Sequence, residues 1–443
     1  MTTRAVTCDV SPWELWEGVP RPRILPGPVV VTRTGHADQT GQHGRVPAES
    51  LDQHRQRWGP RPRGGTWLLG AAGSARLTGC GGGHFPAAEK WRAALACRQP
   101  IALVANAAEG ERLSAKDATL LRLRPHLVLD GLATLAETLH AGELVLWIHE
   151  DDANTRGAVI EALRARRLAG LDEPPVTIRP VGAGYLSGES SAIKHALDGG
   201  PALPMFEAGG RRGRSGRQVV VHNVETLAHL ARLDRLGAPS PAVARPGTDG
   251  FPTRLLTILT PHDRRVVEHP CHLSLGAAVA AVSGTRVPET APVLLGGYGG
   301  MWARWPDVAG LGIDEAAVRR HGLTLGAGIV APLWEASCGV AITAAITAYL
   351  ARESAGQCGP CLFGLPALAE GLDRLARGRV RRNELVRLRR DLEAVDGRGA
   401  CHHPDGAVRL VRSALSVFED DVAAHAAGRP CAGSTTTIPV PGT

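Results

Sequence analysis

The stretch 79–91, GCGGGHFPAAEKW, is the part of the chain whose residue types most directly suggest chemistry. Four glycines in five positions let a backbone turn sharply and approach a flat or phosphorylated ligand closely, because no Cβ stands in the way. Lys90 follows this loop, and only three of the 50 lysines and arginines in the chain are lysines. A compact ammonium at this place favours a ligand site. The alternative interpretation is a mobile surface loop.

Three cysteines offer a second kind of chemistry. Cys358 and Cys361 form a C-x-x-C pair in ESAGQCGPCLFG, and Cys401 lies further along the chain in GACHHPDG. A C-x-x-C pair and a distant cysteine that follows further helices can converge, and thiolates arranged in this way hold iron–sulfur clusters. The pair alone is also typical of a thioredoxin-type redox site, but no βαβ unit surrounds it.

The elements that would position the glycine loop are strands that alternate with helices. Apolar runs predict strands at 101–104, 143–148 and 176–181, and Ala- and Leu-rich stretches predict helices near 127–139 and 156–167. This alternation predicts a parallel α/β sheet that is covered on both faces. Ligands of such sheets bind at the carboxyl ends of the strands.

Three polar segments lie where strands of this sheet would end. They are 106–117 (NAAEGERLSAKD), 182–193 (GAGYLSGESSAI) and 219–226 (VVVHNVET). Each segment alone is weak evidence, because loop ends are usually polar. Together with the glycine loop, they predict a phosphate- and ribose-binding crevice with carboxylates and amides as hydrogen-bond partners.

In this order and spacing, the glycine loop and the three polar segments resemble the F-type, flavin- and NADH-binding subunit of respiratory complex I NADH:quinone oxidoreductase. They also resemble its soluble hydrogenase and formate-dehydrogenase relatives, and the likeness extends from about residue 65 to about residue 427. The resemblance implies FMN contacts at Gly79, Gly81, Asn106, Glu109, Gly188, Glu189, His222, Asn223 and Thr226. It implies NADH contacts at Gly82, Phe85, Lys90, Glu111 and Tyr185.

The chain departs from this family at several of the motif positions. Cys80 stands where the family loop usually has arginine, and His222 replaces the first of two paired asparagines. Ala108 and Ser190 each replace an acidic residue of the family motifs. The loss of two acids predicts weaker NADH binding, and the basic run 209–218 adds candidate phosphate partners for NADPH.

The rest of the chain predicts two further regions. Short strands with glycine turns at about 246–330 resemble the β-grasp-like (SLBB) domain that the family places after its flavin domain. A buried helix at 340–350 is followed by two apolar stripes at helical spacing and a further apolar stretch, so a C-terminal four-helix bundle is expected. The stripes consist of Leu365, Leu368, Leu372 and Leu375, and of Leu385, Leu388, Leu392 and Val395.

The predicted fold class is therefore α/β, with a Rossmann-like flavin domain, a β-grasp-like domain and a C-terminal four-helix bundle. The predicted boundaries are 1–64 for an N-terminal extension, 65–243 for the FMN- and NAD-binding domain, 244–332 for the β-grasp-like domain and 333–443 for the helical bundle with the iron–sulfur region.

The candidate cluster site lacks one cysteine of the family motif Glu-Ser-Cys-Gly-x-Cys-x-Pro-Cys, because Ala355 stands at its first cysteine. Three thiolates could hold a [3Fe-4S] cluster, or a [4Fe-4S] cluster with a different fourth ligand. The site could instead bind zinc with three cysteines and a histidine, or hold no metal. The candidate fourth ligands are Ser354, His402, His403, water or a residue of a partner.

Composition narrows the class of protein. With 443 residues, 44% hydrophobic and 21% charged, the chain is typical of a globular protein of several domains, and its net charge of +7 is mild for this size. Few aromatics interleave with basic residues, which argues against nucleic acid as a partner. No stretch approaches the roughly 18 apolar residues of a membrane span. Nine cysteines, an odd number, favour metal or cluster ligation over a secreted disulfide framework.

The function implied by the resemblance is that of an NAD(P)H dehydrogenase-like oxidoreductase subunit. Electrons would pass from a reduced nicotinamide through FMN to an iron–sulfur cluster, and no side chain need act as an acid or base. The expected partners are other electron-transfer subunits, such as a ferredoxin-like or thioredoxin-like [2Fe-2S] protein. The expected location is the cytoplasm, or the membrane periphery through partner subunits. The alternative is a degenerate subunit that keeps the fold as an assembly scaffold.

Overall fold

The computed structural model describes most of the chain. The described residues are 23–25, 27–31, 48–205, 216–236, 253–283, 287–334, 337–380, 382–431 and 438–442, with two short strands before them. The strands are β1 (Leu15–Trp16), β2 (Val19–Pro20), β3 (Val29–Val31), β4 (Ile101–Asn106), β5 (Glu143–His149), β6 (Val176–Val181), β7 (Gln218–Asn223), β8 (Thr253–Leu259), β9 (Arg264–Pro270), β10 (Pro292–Leu295), β11 (Met301–Arg304) and β12 (Ile329–Pro332).

Helices connect and cover these strands. They are α1 (Leu51–Trp58), α2 (Trp67–Ser74), α3 (Ala87–Ala96), α4 (Lys116–Leu123), α5 (Pro125–Leu139), α6 (Ala153–Leu168), α7 (Ser190–Leu197), α8 (Val224–Leu236), α9 (Leu275–Ser283), α10 (Trp305–Val308), α11 (Glu315–Arg320), α12 (Gly339–Arg352), α13 (Leu365–Ala376), α14 (Glu384–Val395), α15 (His403–Val417) and α16 (Glu419–Ala426), with a π-helical turn at Pro360–Gly364 before α13. No helix in these described ranges is both long and apolar enough to cross a membrane.

The first sheet is parallel and has the strand order β6-β5-β4-β7. Leu103 of β4 packs in one apolar core with α3, α5 and α8. Its neighbour Val104 packs on the opposite face with Ile193 of α7. Successive side chains of a strand point to opposite faces, so this packing covers both faces of the sheet. The predicted parallel α/β arrangement is confirmed.

The second sheet is mixed and has the order β11-β10-β12-β8-β9-β3. β12 and β8 pair in parallel, and the other neighbours are antiparallel. The N-terminal strand β3 joins its edge, with Val29 opposite Val266. Neither β3 nor α1 was predicted from the sequence. Helix α1 begins with a capping box formed by Ser50 and Gln53. The N-terminal segment thus supplies elements to the folded chain.

The C-terminal helices surround one apolar core. Leu365, Leu368, Leu372 and Leu375 are all buried there, and so are Leu388, Leu392 and Val395 of the second predicted stripe, while Leu385 is partly buried. Most of α12 is also buried, as its composition predicts. Tyr298 of the turn between β10 and β11 and Trp302 of β11 belong to the same core, and the Trp302 ring lies 4.9 Å from that of Phe418. The turn between β10 and β11 therefore lies against the helices.

Candidate functional site

The carboxyl edge of the first sheet brings the predicted polar segments together. Asn106 ends β4 and lies opposite Asn223, which ends β7. The Asn106 side chain accepts from the Ala108 amide at 3.1 Å and donates to the Gly188 carbonyl at 2.8 Å. One amide side chain therefore fixes the first polar segment against the second.

Glycines permit this close approach. A Cβ on Gly188 would overlap the carbonyl oxygen of Ala108, and a Cβ on Gly110 would overlap that of Tyr185. Any other residue would push the two segments apart, because backbone atoms cannot move aside as a flexible side chain can. The predicted contact Gly188 is thus required for the shape of the crevice.

The glycine loop lies beside the same edge. The Cys80 amide donates to the Thr226 hydroxyl at 2.9 Å, and a Cβ on Gly81 would lie 3.5 Å from that of Asn223. The amides of Gly81, Gly82 and Gly83 donate to no group in the described part of the chain. Consecutive free N–H groups at such a turn bind anions, so the loop can accept a phosphate.

Lys90 places an uncompensated positive charge near this loop. Its ammonium donates to the Val221 carbonyl at 2.8 Å and pairs with no carboxylate among the described residues. The pKa of Lys90 is lowered mainly by burial and, to a smaller extent, by the positive charge of Lys194. A bound phosphate would supply the missing counter-charge. Residues 209–215 of the predicted basic run lie outside the described residues, so their phosphate contacts stay a prediction.

A buried ion network lies beneath the crevice. The Lys116 ammonium contacts Asp117 at 2.7 Å, Glu225 at 2.8 Å and the Asn223 side-chain oxygen at 3.3 Å. Asn223 donates in turn to Asp117 at 2.6 Å. Burial lowers the pKa of Lys116, but the two carboxylates outweigh it and keep that pKa above its ordinary value. The network fixes the rotamer of Asn223.

Glu111 and Tyr185 form a partly buried pair. One oxygen of Glu111 accepts from the Tyr185 hydroxyl at 3.0 Å and from the Tyr298 amide at 2.8 Å. Burial raises the pKa of Glu111 to about 7, although these hydrogen bonds act in the opposite direction. A Cβ on Gly297 would overlap the Glu111 carboxyl group. The sequence did not predict that this turn reaches the crevice, and its only signal was the motif GGYGG.

The remaining predicted contacts differ in how free their side chains are. Phe85 is 53% exposed and available for stacking. Glu109 accepts from the Ser114 hydroxyl and the Ala118 amide, and Glu189 accepts from two amides as the N-cap of α7. His222 is buried and accepts from the Trp91 indole at 2.8 Å, and burial holds its pKa well below the usual range. Its side chain thus faces the protein core, and its contact with FMN stays a prediction.

The three cysteines of the candidate cluster site converge. Cys358 and Cys361 lie close together at the start of the π-helical turn, and Cys401, two residues before α15, lies near enough to Cys358 for their charges to interact. Burial alone would raise the pKa of Cys358. The hydrogen bonds from the amides of Ala400 and Cys361 have the larger combined effect, so the pKa of Cys358 is lowered. Sulfur atoms that accept amide hydrogen bonds fit an anionic iron–sulfur cluster.

The fourth position of this site has no thiolate. His403 donates from its Nε2 to the Leu350 carbonyl at 2.8 Å, which leaves the lone pair of the ring on Nδ1. His402 is fully exposed and lies 3.4 Å from Asp405. The donor set is therefore three cysteines with one position open to another ligand.

The crevice and the cysteine site are neighbours. The Tyr185 amide donates to Glu353 at 2.9 Å, two residues before Ala355. The pKa of Cys401 is raised mainly by burial, and the negative charge of the Glu189 carboxylate raises it further.

Comparisons with known proteins agree with this geometry. Residues 73–232 match the family model described as the Nuo51 FMN-binding domain, and residues 341–425 match the NADH-ubiquinone oxidoreductase-F iron-sulfur binding region. The chain is 27% identical over 380 residues to an F-type NADH-quinone oxidoreductase subunit of Rhizobium meliloti, covering 81% of this chain and 88% of that protein. It is also 27% identical over 383 residues to the F-type subunit of Mycobacterium bovis, covering 80% and 83%.

A solved structure is similar over most of the chain. The NAD+-reducing [NiFe]-hydrogenase in its H2-reduced state aligns with a TM-score of 0.73 and 26% identity, over 87% of this chain and 67% of that one. The two matched regions contain the crevice and the cysteine site, and they occur in the order that the family has. The chain is therefore similar to the F-type subunits of NADH-quinone oxidoreductase over most of its length.

Proposed function

We propose that this chain is an NADH dehydrogenase-type oxidoreductase subunit that binds FMN at the carboxyl edge of its first sheet. It takes electrons from a reduced nicotinamide dinucleotide and passes them to an iron–sulfur cluster at Cys358, Cys361 and Cys401. The observation that carries this proposal is the free amide nest of the glycine loop near the unpaired charge of Lys90. Both lie within the stretch that matches the FMN-binding family model.

FMN, when bound, would supply the chemistry that takes up two electrons as a hydride and releases them one at a time. The residues of the chain bind and orient the nucleotides. The glycine amides and Lys90 would hold phosphate, and the exposed ring of Phe85 would stack on a flat ring system. Glu111 and Tyr185 would line the nicotinamide side of the crevice, where their mutual hydrogen bond fixes both side chains.

At the cysteine site, the amides of Ala400, Cys361 and His403 would hold the thiolates in place and compensate their charge. The relatives are named as subunits of a quinone oxidoreductase, so further electron-transfer subunits are the expected partners. We propose a ferredoxin-like or thioredoxin-like [2Fe-2S] protein as the next carrier. All eight cysteines in the described part of the chain are unpaired, which favours the reducing cytoplasm.

The domain organisation that supports this function has four parts. Residues 65–243 form the FMN- and NAD-binding domain, and 244–332 form a β-grasp-like (SLBB) domain around the second sheet. Residues 333–443 form a four-helix bundle with the iron–sulfur region, and 1–64 are an N-terminal extension. The pairing of β3 with β9 indicates that the extension stabilises the second domain.

A second candidate function rests on three substitutions. Ala355 removes a cluster ligand, and Ala108 and Ser190 remove acids from the family motifs. A subunit that keeps the fold only as an assembly scaffold would tolerate such losses. It would not need an unpaired lysine at a partly buried position, and this favours the occupied flavin site.

The test is anaerobic reconstitution of the purified chain with FMN, followed by gel filtration. The wild type should elute with a flavin absorption spectrum at one FMN per chain. Lys90→Met should weaken retention, whereas Arg92→Ala, on the exposed side of the same helix, should behave as the wild type. A folded wild-type protein that elutes without flavin would contradict the proposal.

A further inference from the structure

A second group of metal-binding side chains lies in the helical region. In the described part of the chain, two groups of three His, Cys, Asp or Glu residues bring their ligand atoms within 4.8 Å of one another. One of them, Cys80 with Glu225 and His229, belongs to the buried network beneath the crevice. The other is formed by Cys338, His425 and Cys431, and it shares no residue with the crevice or with the candidate cluster site.

The geometry of this second group centres on one nitrogen. His425 Nε2 lies 3.5 Å from the Cys338 sulfur and 3.3 Å from the Cys431 sulfur. Cys338 and His425 are each only 1% exposed, whereas Cys431 is exposed. Cys338 is the N-cap of α12, His425 lies in the last turn of α16, and Cys431 follows that helix.

The hydrogen bonds of His425 determine its tautomer. Its Nδ1 lies 3.1 Å from the Leu375 carbonyl and 3.0 Å from the Ala376 carbonyl, at the end of α13. Carbonyl oxygens only accept, so Nδ1 carries the proton and Nε2 presents a lone pair to both sulfurs. The Cys431 amide donates to the Nε2 lone pair at 3.1 Å, which agrees with this assignment, and a metal ion bound at Nε2 would take the place of that amide. Metal-binding histidines are held in the same way, with the other ring nitrogen donating to a carbonyl.

We propose that Cys338, His425 and Cys431 form a zinc site. Two thiolates and one neutral imidazole are a ligand set that Zn²⁺ prefers. Binding releases the two thiol protons to solvent, so the ion and its two thiolates together carry no net charge, which limits the cost of burying them. The exposure of Cys431 leaves the fourth position to water.

A zinc ion at this site would cross-link parts of the chain that are distant in sequence. The ion ties the start of α12 to the segment after α16, and it does so at the end of α13. The enclosed stretch contains Cys358, Cys361 and Cys401, so the zinc site would stabilise the helices that carry the candidate cluster. A metal that binds the folded chain and not the unfolded chain adds its binding free energy to stability.

The test is elemental analysis of the full chain, purified anaerobically from medium that contains zinc and iron. The wild type should hold one zinc per chain. Cys431→Ser should lose the zinc and keep any iron, and Cys401→Ser should lose iron and keep the zinc. Cys97→Ser, at an exposed cysteine remote in sequence from both sites, should keep both. Zinc and iron are counted separately, so the result does not depend on whether the cluster proposal holds.

A second measurement covers the stability role. Chelation with EDTA should lower the melting temperature of the wild type and of Cys97→Ser, and leave that of Cys431→Ser unchanged. Three results would overturn the proposal. They are a zinc-free wild type after incubation with zinc, zinc retained by Cys431→Ser, and a Cys338–Cys431 disulfide recovered from the anaerobic protein.

Discussion

The hydroxyl of Tyr185 donates to the carboxylate of Glu111 at 3.0 Å, which joins two predicted NADH contacts from different loops into one partly buried pair. The Tyr298 amide adds a third element, from the turn after β10. The ring of Tyr185 lies 5.9 Å from that of Tyr349 in the helical region. The pair is therefore the place where the first sheet, the second sheet and the helices meet.

The first prediction concerns the pH dependence of stability. Burial raises the pKa of Glu111 from 4.5 to about 7, so the folded chain holds a proton that the unfolded chain loses in this window. This group therefore favours folding below about pH 4.5, and that contribution is lost as the pH rises to about 7. Glu111→Gln cannot titrate and should show a smaller loss of unfolding free energy between pH 5 and pH 8.

Urea unfolding followed by circular dichroism at the two pH values measures this difference. Glu161→Gln, on the exposed face of α6, is the matched control and should keep the wild-type pH dependence. Equal pH dependence in the wild type and in Glu111→Gln would mean that the Glu111 carboxyl group is not protonated near neutral pH.

The parallel sheet could be predicted because its central strands are buried on both faces and read as unbroken apolar runs. The ends of those strands then indicated most of the crevice. Helix α1 could not be predicted, because LDQHRQRW contains only two apolar residues and packs through long-range contacts.

Contacts between remote residues also lie beyond a sequence pattern. Glu111 and Tyr298 are separated by 187 positions, and nothing near either residue indicates the other. The scarcity of lysine in the sequence partly indicated the site, since Lys90 and Lys116 each make a defined polar contact there. It could not show that Lys116 lies beneath the crevice and Lys90 beside it.

The second prediction concerns Gly188. In Gly188→Ala the new methyl group would overlap the Ala108 carbonyl, and the hydrogen bond from Asn106 would be displaced with it. Overpacking against backbone costs about 1 to 3 kcal/mol, and flavin retention should fall because the two polar segments separate. In Gly184→Ala the nearest atom lies 3.9 Å away, so that variant should match the wild type. Chemical denaturation and gel filtration with FMN test both, and equal behaviour of the two variants would contradict the crevice geometry.

The third prediction concerns the missing acid at Ser190. A charged hydrogen bond to a ribose hydroxyl contributes about 1 to 3 kcal/mol, so Ser190→Glu should bind NADH about tenfold more tightly than the wild type. Ser190 opens α7, where a carboxylate is also favoured by the helix dipole. Ser190→Gln has the same shape without the charge and should gain little. Titration of the FMN-loaded protein with NADH and with NADPH measures both affinities, and an equal gain in the glutamine variant would exclude the charge as the cause.

The last prediction concerns Ala355. With three thiolates, the most oxidised stable cluster should be [3Fe-4S], which is paramagnetic when oxidised, whereas an oxidised [4Fe-4S] cluster gives no such signal. Ala355→Cys would provide the fourth thiolate, so the oxidised protein should lose the electron paramagnetic resonance signal. Its reduction potential should fall, because an added thiolate makes the cluster more negative.

Two control variants make this result specific. Ala355→Ser adds a side chain of similar size without a thiolate and should keep the paramagnetic signal. Cys401→Ser should abolish iron binding, because two cysteines on one turn hold a cluster too weakly. If the wild type folds but holds no iron after anaerobic reconstitution with iron and sulfide, the three cysteines are not a cluster site and electrons must leave the flavin by another route.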